Sequence, residues 1–172
     1  MKIVSLLINE DVARAERQFE QATGDNIVEL CGEYLRVLSD YRTHLMNLPE
    51  IPEVNFIEQS SLGRTLAEQS RRAVQAAIDV TETAHDLVGS LLESLTSIDA
   101  SDAVETFNRL GYNGSHNWTL HGSMVHAGDV SGWSLTQDEA VKRATKLRRE
   151  AYVTRRITFL KGPDEDKTAA TT

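Results

Sequence analysis

The stretch LGRTLAEQSRRAVQAAIDVTETAHDLVGSLLESLT, residues 62–96, decides the fold class that this sequence indicates. Its apolar residues recur at steps of seven with a second series between them, which is the spacing of a coiled-coil seam. Several are alanines, whose small side chains let two helix backbones approach closely. The stretch predicts one long helix packed on a neighbouring helix through Leu66, Ala73, Ala77, Val80, Ala84, Leu87 and Leu91.

A second long helix is predicted upstream, over residues 27–48. Pro49 and Pro52 end it, because proline lacks the backbone N–H that a helix needs. Residues 1–22 predict either a first helix or a short extended lead followed by a helix, and Gly24-Asp25-Asn26 separates this segment from the second helix. Apolar residues at three- and four-residue steps place one face of the second helix in the core: Ile27, Leu30, Cys31, Tyr34, Leu38, Tyr41, Leu45 and Leu48.

Downstream, Asp99 or Ser101 can cap a short helix that ends near Leu110, with Gly111 as its stop signal. The stretch GYNGSHNWTLHGSMVHAGDVSGW, residues 111–133, then interrupts the helical pattern. Thr136-Gln-Asp-Glu139 matches a capping box and predicts a final basic helix to about residue 160.

Composition agrees with a helical protein, since 172 residues contain only 3 prolines and 6% aromatic side chains. The predicted fold is a single all-α domain over residues 1–162, followed by a flexible polar tail at 163–172. Within that domain we expect an antiparallel bundle with two long helices, a C-terminal basic helix and an irregular insert that contains glycine, histidine and tryptophan.

The chain offers no signal for a membrane or for export. Its longest apolar run, residues 3–8, is far shorter than the roughly 20 residues of a membrane span. The single cysteine, Cys31, lies in a helical segment and cannot form an internal disulfide. We therefore expect a cytoplasmic protein without a membrane partner.

Positive charge is concentrated in the last helix. Residues 142–161 hold eight lysines and arginines against Glu150 alone, in a chain whose net charge is -8. A helical wheel places Arg148 and Arg155 inside the apolar face of this helix, where we expect each to pair with a carboxylate of the long helices. The alternative is that the basic helix, residues 140–161, binds an anion or nucleic acid, although the acidic total charge argues against nucleic acid.

The insert holds the three histidines His116, His121 and His126, and imidazole is a common transition-metal ligand. If Gly122-Ser123 is a two-residue hairpin turn, His121 opposes Met124, Thr119 opposes His126 and His116 opposes Asp129. Strand alternation then puts His121 and His126 on one face and His116 on the other. The three remain candidate zinc ligands, but we expect no bound cofactor.

Arg109 and His116 are separated by six residues at a predicted helix end. This spacing resembles the R-x4-6-H signature of the HEPN superfamily, all-α proteins that include dimeric ribonucleases. The resemblance implies that Arg109 and His116 meet at a dimer interface and assist attack of a ribose 2′-hydroxyl on the adjacent phosphate.

The sequence favours a non-enzymatic role, since its candidate groups do not form a convergent catalytic set. We expect a helical adaptor or chaperone-like module that binds another protein or itself, as a homodimer, through an apolar helical seam. Arg148, Arg155, Trp118 and Trp133 are its candidate binding residues. The alternatives are an HEPN-like ribonuclease or a metal-dependent hydrolase centred on residues 109–133, and the anion binder described above.

Overall fold

The computed structural model describes residues 9–48, 61–128 and 132–161, with side chains to residue 156. Helices account for 74% of these residues, which supports the all-α class, but a small three-stranded sheet is also present. The elements are α1 (Glu10–Glu20), α2 (Ile27–Met46), α3 (Ser61–Thr96), α4 (Ala100–Leu110), β1 (Trp118–His121), β2 (Met124–Ala127), β3 (Ser134–Thr136) and α5 (Gln137–Lys161).

Several features of the sequence analysis fall outside the described residues: the apolar run at 3–8, Pro49 and Pro52, Asp129, and the tail at 163–172. Within the described ranges, no helix has the length and apolar character that crossing a membrane requires.

The helix ends are fixed by the capping residues that the sequence indicates. Asp99 caps α4 in a reciprocal capping box with Asp102, and Gly111 ends that helix with a φ of 73°. At the start of α5, the Glu139 carboxylate accepts hydrogen bonds from the backbone N–H and the hydroxyl of Thr136. These bonds lower the pKa of Glu139.

The insert is not irregular, which corrects the expectation from its glycine content. β1, β2 and β3 form an antiparallel sheet in that order. The first hairpin has the anticipated register, with His121 opposite Met124 and Thr119 opposite His126. Gly122 takes a positive φ of 58° as the first residue of the two-residue turn, which a side chain would disfavour.

Contacts divide the chain into two compact units, one formed by Met1–Gln21 with Glu29–Leu92 and the other by Ala22–Val28 with Glu93–Thr172. In the first unit, the Phe19 and Tyr34 rings lie 5.7 Å apart and Arg42 pairs with Glu82. Burial confirms the predicted apolar face of α2, and its buried side chains are Ile27, Cys31, Tyr34, Leu38, Tyr41 and Leu45.

The predicted seam of α3 is rotated from its expected position. The helix buries Ala67, Thr81 and Val88, whereas Leu66, Val80 and Leu87 are exposed. Ala77, Ala84 and Leu91 lie between these two faces and are half-buried. The period was predicted, but the face that packs inward was not.

The second unit has two layers, with α4 and α5 on one face of the sheet. Ala103, Ala140 and Ala144 are fully buried between or beside these helices, so their backbones approach closely. The core also contains Phe107 and Trp118, with ring centres 4.9 Å apart. The remaining buried members come from the strands: Val125, Ala127 and Leu135.

Asn108 joins α4 to the sheet. Its side-chain amide donates to the carbonyl of Trp118 at 2.9 Å, and its side-chain oxygen accepts from the Trp118 backbone N–H at 2.6 Å. The amide therefore takes the place of a neighbouring strand at the free edge of β1 and satisfies both backbone groups of a residue whose side chain is only 2% exposed.

We predict that Asn108→Ala lowers the free energy of unfolding by about 1–3 kcal/mol, because two backbone groups beside the core lose their partner. Glu105→Ala, an exposed change on the same helix, should shift it by less than about 0.5 kcal/mol. Chemical denaturation measures both values. Equal stability of the two variants would contradict the role given to Asn108.

Candidate functional site at the end of helix α4

Arg109 and His116 both lie at the C-terminal end of α4, and both are exposed. The His116 ring packs back over Gly111, where an added Cβ would lie 2.6 Å from the ring carbon Cε1. Gly111 is thus required twice, for its positive φ and for this close approach. The chain between Arg109 and His116 turns back on itself, so these two residues, seven positions apart, lie at the same helix end.

The His116 ring is oriented by the backbone. Its Nδ1 lies 3.3 Å from the carbonyl oxygen of Asn108, which can only accept a hydrogen bond. Nδ1 is therefore the donor in this hydrogen bond. The ribonuclease interpretation of Arg109 and His116 stays a prediction.

A cation and an aromatic ring adjoin this helix end. The Arg143 guanidinium donates to the Tyr112 hydroxyl at 2.5 Å and lies 6.0 Å from the centre of that ring. This hydrogen bond raises the pKa of Arg143. Tyr112 in turn stacks on Phe107, at 4.5 Å between ring centres, so the exposed arginine is fixed to the aromatic core.

Arg148 is an internal structural residue. Its side chain is 16% exposed, and its Nε donates to the Thr106 hydroxyl at 2.6 Å. Its terminal nitrogens reach the carbonyl of Ser94 at 3.2 Å and the carbonyl and carboxylate of Asp102 at 3.3 and 3.4 Å. One guanidinium therefore joins the last turn of α3, helix α4 and helix α5.

The carboxylate that pairs with Arg148 belongs to the short helix α4, not to a long helix as expected. The pKa of Asp102 is lowered first by the hydrogen bond from the Asp99 backbone N–H and then by Arg148. The ionised carboxylate is thus the form that the fold favours, and its contribution to stability is lost as the pH falls through this lowered pKa.

Arg155 is exposed, which corrects its predicted place within the apolar face of the helix. Its neighbour Arg156 is half-buried instead and donates to the carbonyl of Ala22 at 2.7 Å. Lys146 pairs with Glu150 one helical turn away at 3.8 Å. Much of the positive charge of α5 is therefore directed at groups of its own unit.

The two tryptophans differ in environment. Trp118, predicted to be a binding residue, lies in the core, and its buried indole N–H has no hydrogen-bond partner among the described residues. Trp133 is 42% exposed and its carbonyl accepts from the Ala127 N–H. Trp133 alone of the two can contact a ligand or a partner directly.

The three histidines of the insert do not converge. The His121 and His126 rings lie 6.0 Å apart, whereas His116 is fixed at the end of α4. In the part of the chain that the structure describes, no group of three or more histidine, cysteine or acidic side chains could share a metal ion. Within the described residues, His116 therefore does not lie in one cluster with His121 and His126.

Sequence reasoning missed Asn108, Tyr112 and Thr106. An amide or a hydroxyl on an amphipathic helix gives no signal of its role until its long-range partner is known. Tyr112 offers a weak signal, since an aromatic residue directly after a helix-ending glycine often packs back on the helix.

We predict that Arg148→Met lowers the free energy of unfolding by about 1–3 kcal/mol, because four acceptors lose a buried donor. Arg155→Met is the matched control and should change stability by less than about 0.5 kcal/mol. Thermal and denaturant unfolding at neutral pH compare the two variants. A larger effect at Arg155 would contradict the assignment.

Comparisons with known proteins return no match for this chain, whether to a protein-family model, to a curated protein or to a solved structure.

Proposed function

We propose that this protein is a non-enzymatic helical assembly module that pairs with a second copy of itself through α3. The observation that carries the proposal is an apolar stripe, the α3 stripe, formed by Leu62, Leu66, Ala73, Val80 and Leu87. Its four large side chains are between 50% and 69% exposed.

Helix α3 leaves large apolar side chains in contact with solvent. Its buried residues are Gly63, Ala67, Thr81, Val88 and Leu95, whereas three leucines and a valine of the α3 stripe face outward. Burying a leucine or valine fully contributes about 1.5–3 kcal/mol, so leaving this row in water forgoes much of its stabilising capacity. Large apolar residues that share one exposed helix face are typical of a binding surface.

The geometry of the stripe favours a helix as its partner. From Leu66 to Leu87 the residues recur every seven positions, which is the repeat that two packed helices share. Helix α3 has 36 residues and is about 54 Å long, so the stripe offers several turns of continuous contact.

A second copy of α3 in antiparallel orientation fits the residues of the stripe. When Leu66 of one copy lies opposite Leu87 of the other, Ala73 of each copy lies opposite Val80 of the other. Each small side chain then faces a large one. A parallel pairing would set Ala73 against Ala73 and leave a gap. The antiparallel alignment also brings Arg72 near Asp79 of the second copy, a favourable pairing of opposite charges.

We expect the wild-type protein to be a dimer at micromolar concentration and the Val80→Glu, Leu87→Glu double variant to be monomeric. Two carboxylates in the centre of the seam would have to be desolvated on pairing. Gln75→Glu, which adds a charge to an exposed position on the other side of α3, is the control and should remain dimeric.

Light scattering coupled to size-exclusion chromatography measures the mass, and circular dichroism confirms that the variants remain folded. A wild-type monomer throughout the micromolar range, or a dimer that survives both glutamates, would contradict the proposal.

The orientation has its own test by disulfide cross-linking. Antiparallel pairing predicts that a mixture of Leu66→Cys and Leu87→Cys proteins forms a mixed disulfide under mild oxidation more rapidly than either variant alone. Cys31 is fully buried and gives little background. Self-linked dimers of each variant, without the mixed species, would indicate parallel pairing instead.

A further inference from the structure

The sheet has one face packed on helices and one face open to solvent. Alternation along the strands puts Trp118, Val125 and Leu135 on the packed face, where they are buried. The opposite face carries six side chains, each exposed or half-exposed: Thr119, His121, Met124, His126, Ser134 and Thr136. We call this the open sheet face.

Two imidazoles meet on the open sheet face. His121 lies opposite Met124 and His126 lies opposite Thr119, so the histidines are diagonal neighbours on adjacent strands. Their ring centres are 6.0 Å apart and their planes are inclined by 50°. Two imidazole nitrogens bound to one ion lie about 3–4 Å apart, because each metal–nitrogen bond is about 2.0–2.1 Å long. With ring centres 6.0 Å apart, rotation about the side-chain bonds can bring one nitrogen of each ring toward this distance.

The backbone that carries the two rings is held in place. β2 is the central strand and pairs with a strand on each side. The hairpin turn is tied to α5, since the Gln137 side chain donates to the Gly122 carbonyl at 2.8 Å and the Gln137 N–H donates to the Ser123 carbonyl at 3.3 Å. Both histidines lie on paired strands, so no loop has to close around the ion to position them. The conformational entropy lost on binding is therefore small.

From this geometry we propose that His121 and His126 form a two-imidazole binding site for a late first-row transition-metal ion. Nitrogen ligands of this kind bind Cu²⁺ most tightly, with Ni²⁺ and Zn²⁺ weaker. The thioether of Met124 shares the open sheet face beside both rings, and water completes the coordination. No side chain of this face carries a fixed positive charge that would repel the ion. The site is separate from His116 and does not depend on the α3 stripe.

The test is calorimetric titration of the untagged full-length protein with Cu²⁺, Ni²⁺ or Zn²⁺ alone. We expect His121→Ala and His126→Ala each to weaken binding by about tenfold or more, since the second imidazole otherwise binds at high effective concentration. His116→Ala is the matched control, a histidine of the same segment, and should bind as the wild type does. Melting curves without metal show whether each variant is folded, and His121→Asn replaces the alanine variant if it is not.

Metal should also raise the melting temperature of the wild type and of His116→Ala, because an ion that binds only the folded hairpin stabilises it. That rise should be absent in His121→Ala and His126→Ala. Wild-type binding by either of these variants, or an equal loss in His116→Ala, would overturn the proposal, as would an absence of binding by the wild type.

Discussion

The second unit depends on the contact between α4 and the first residue of β1. Asn108 bonds both backbone groups of Trp118, and the Trp118 indole then fills the space beside Phe107. Those contacts set the position of β1 on the helix, and pairing along the strands sets β2 and β3. The indole N–H has no hydrogen-bond partner in the described part of the chain, which costs free energy. The apolar surface that an aromatic side chain of this size buries offsets that cost. The three-residue strand β3 leads directly into α5, so the same contact also fixes where the last helix begins.

Local signals made much of this fold predictable. The bounds of α2, α3 and α5 agree with the sequence to within about two residues, since proline, glycine and capping residues act on their immediate neighbours. The hairpin register also followed from one glycine turn and alternation along two strands. What could not be predicted required knowledge of distant partners. Seven-residue spacing in α3 is equally consistent with two adjacent faces, and only packing selects the one that contains Ala67 and Thr81.

The candidate sites show the same division between local and long-range information. Period-two alternation placed His121 and His126 together correctly and separated His116 from them. The sequence predicts a partner for Arg148 on the long helices, whereas the structure places Asp102 of the short helix beside it, 46 positions away in sequence. Arg155 and Arg156 are adjacent on a helix of 25 residues, and a wheel drawn over so many turns accumulates error in phase. The wheel consequently assigned the inward position to the wrong one of the two.

The charge of α5 illustrates why a basic segment alone does not identify a nucleic-acid-binding helix. Electrostatic binding of a polyanion requires cations that are free to reach phosphates. Here Arg148 donates hydrogen bonds to carbonyls and to a carboxylate, and Arg156 donates one to the carbonyl of Ala22. Arg143 donates one to the Tyr112 hydroxyl. Carbonyl oxygens at the ends of helices and turns lose their hydrogen bonds to water when they are buried. Arginine side chains beside them replace those hydrogen bonds. Three of the five arginines of this helix, Arg143, Arg148 and Arg156, are therefore hydrogen-bonded within their own unit.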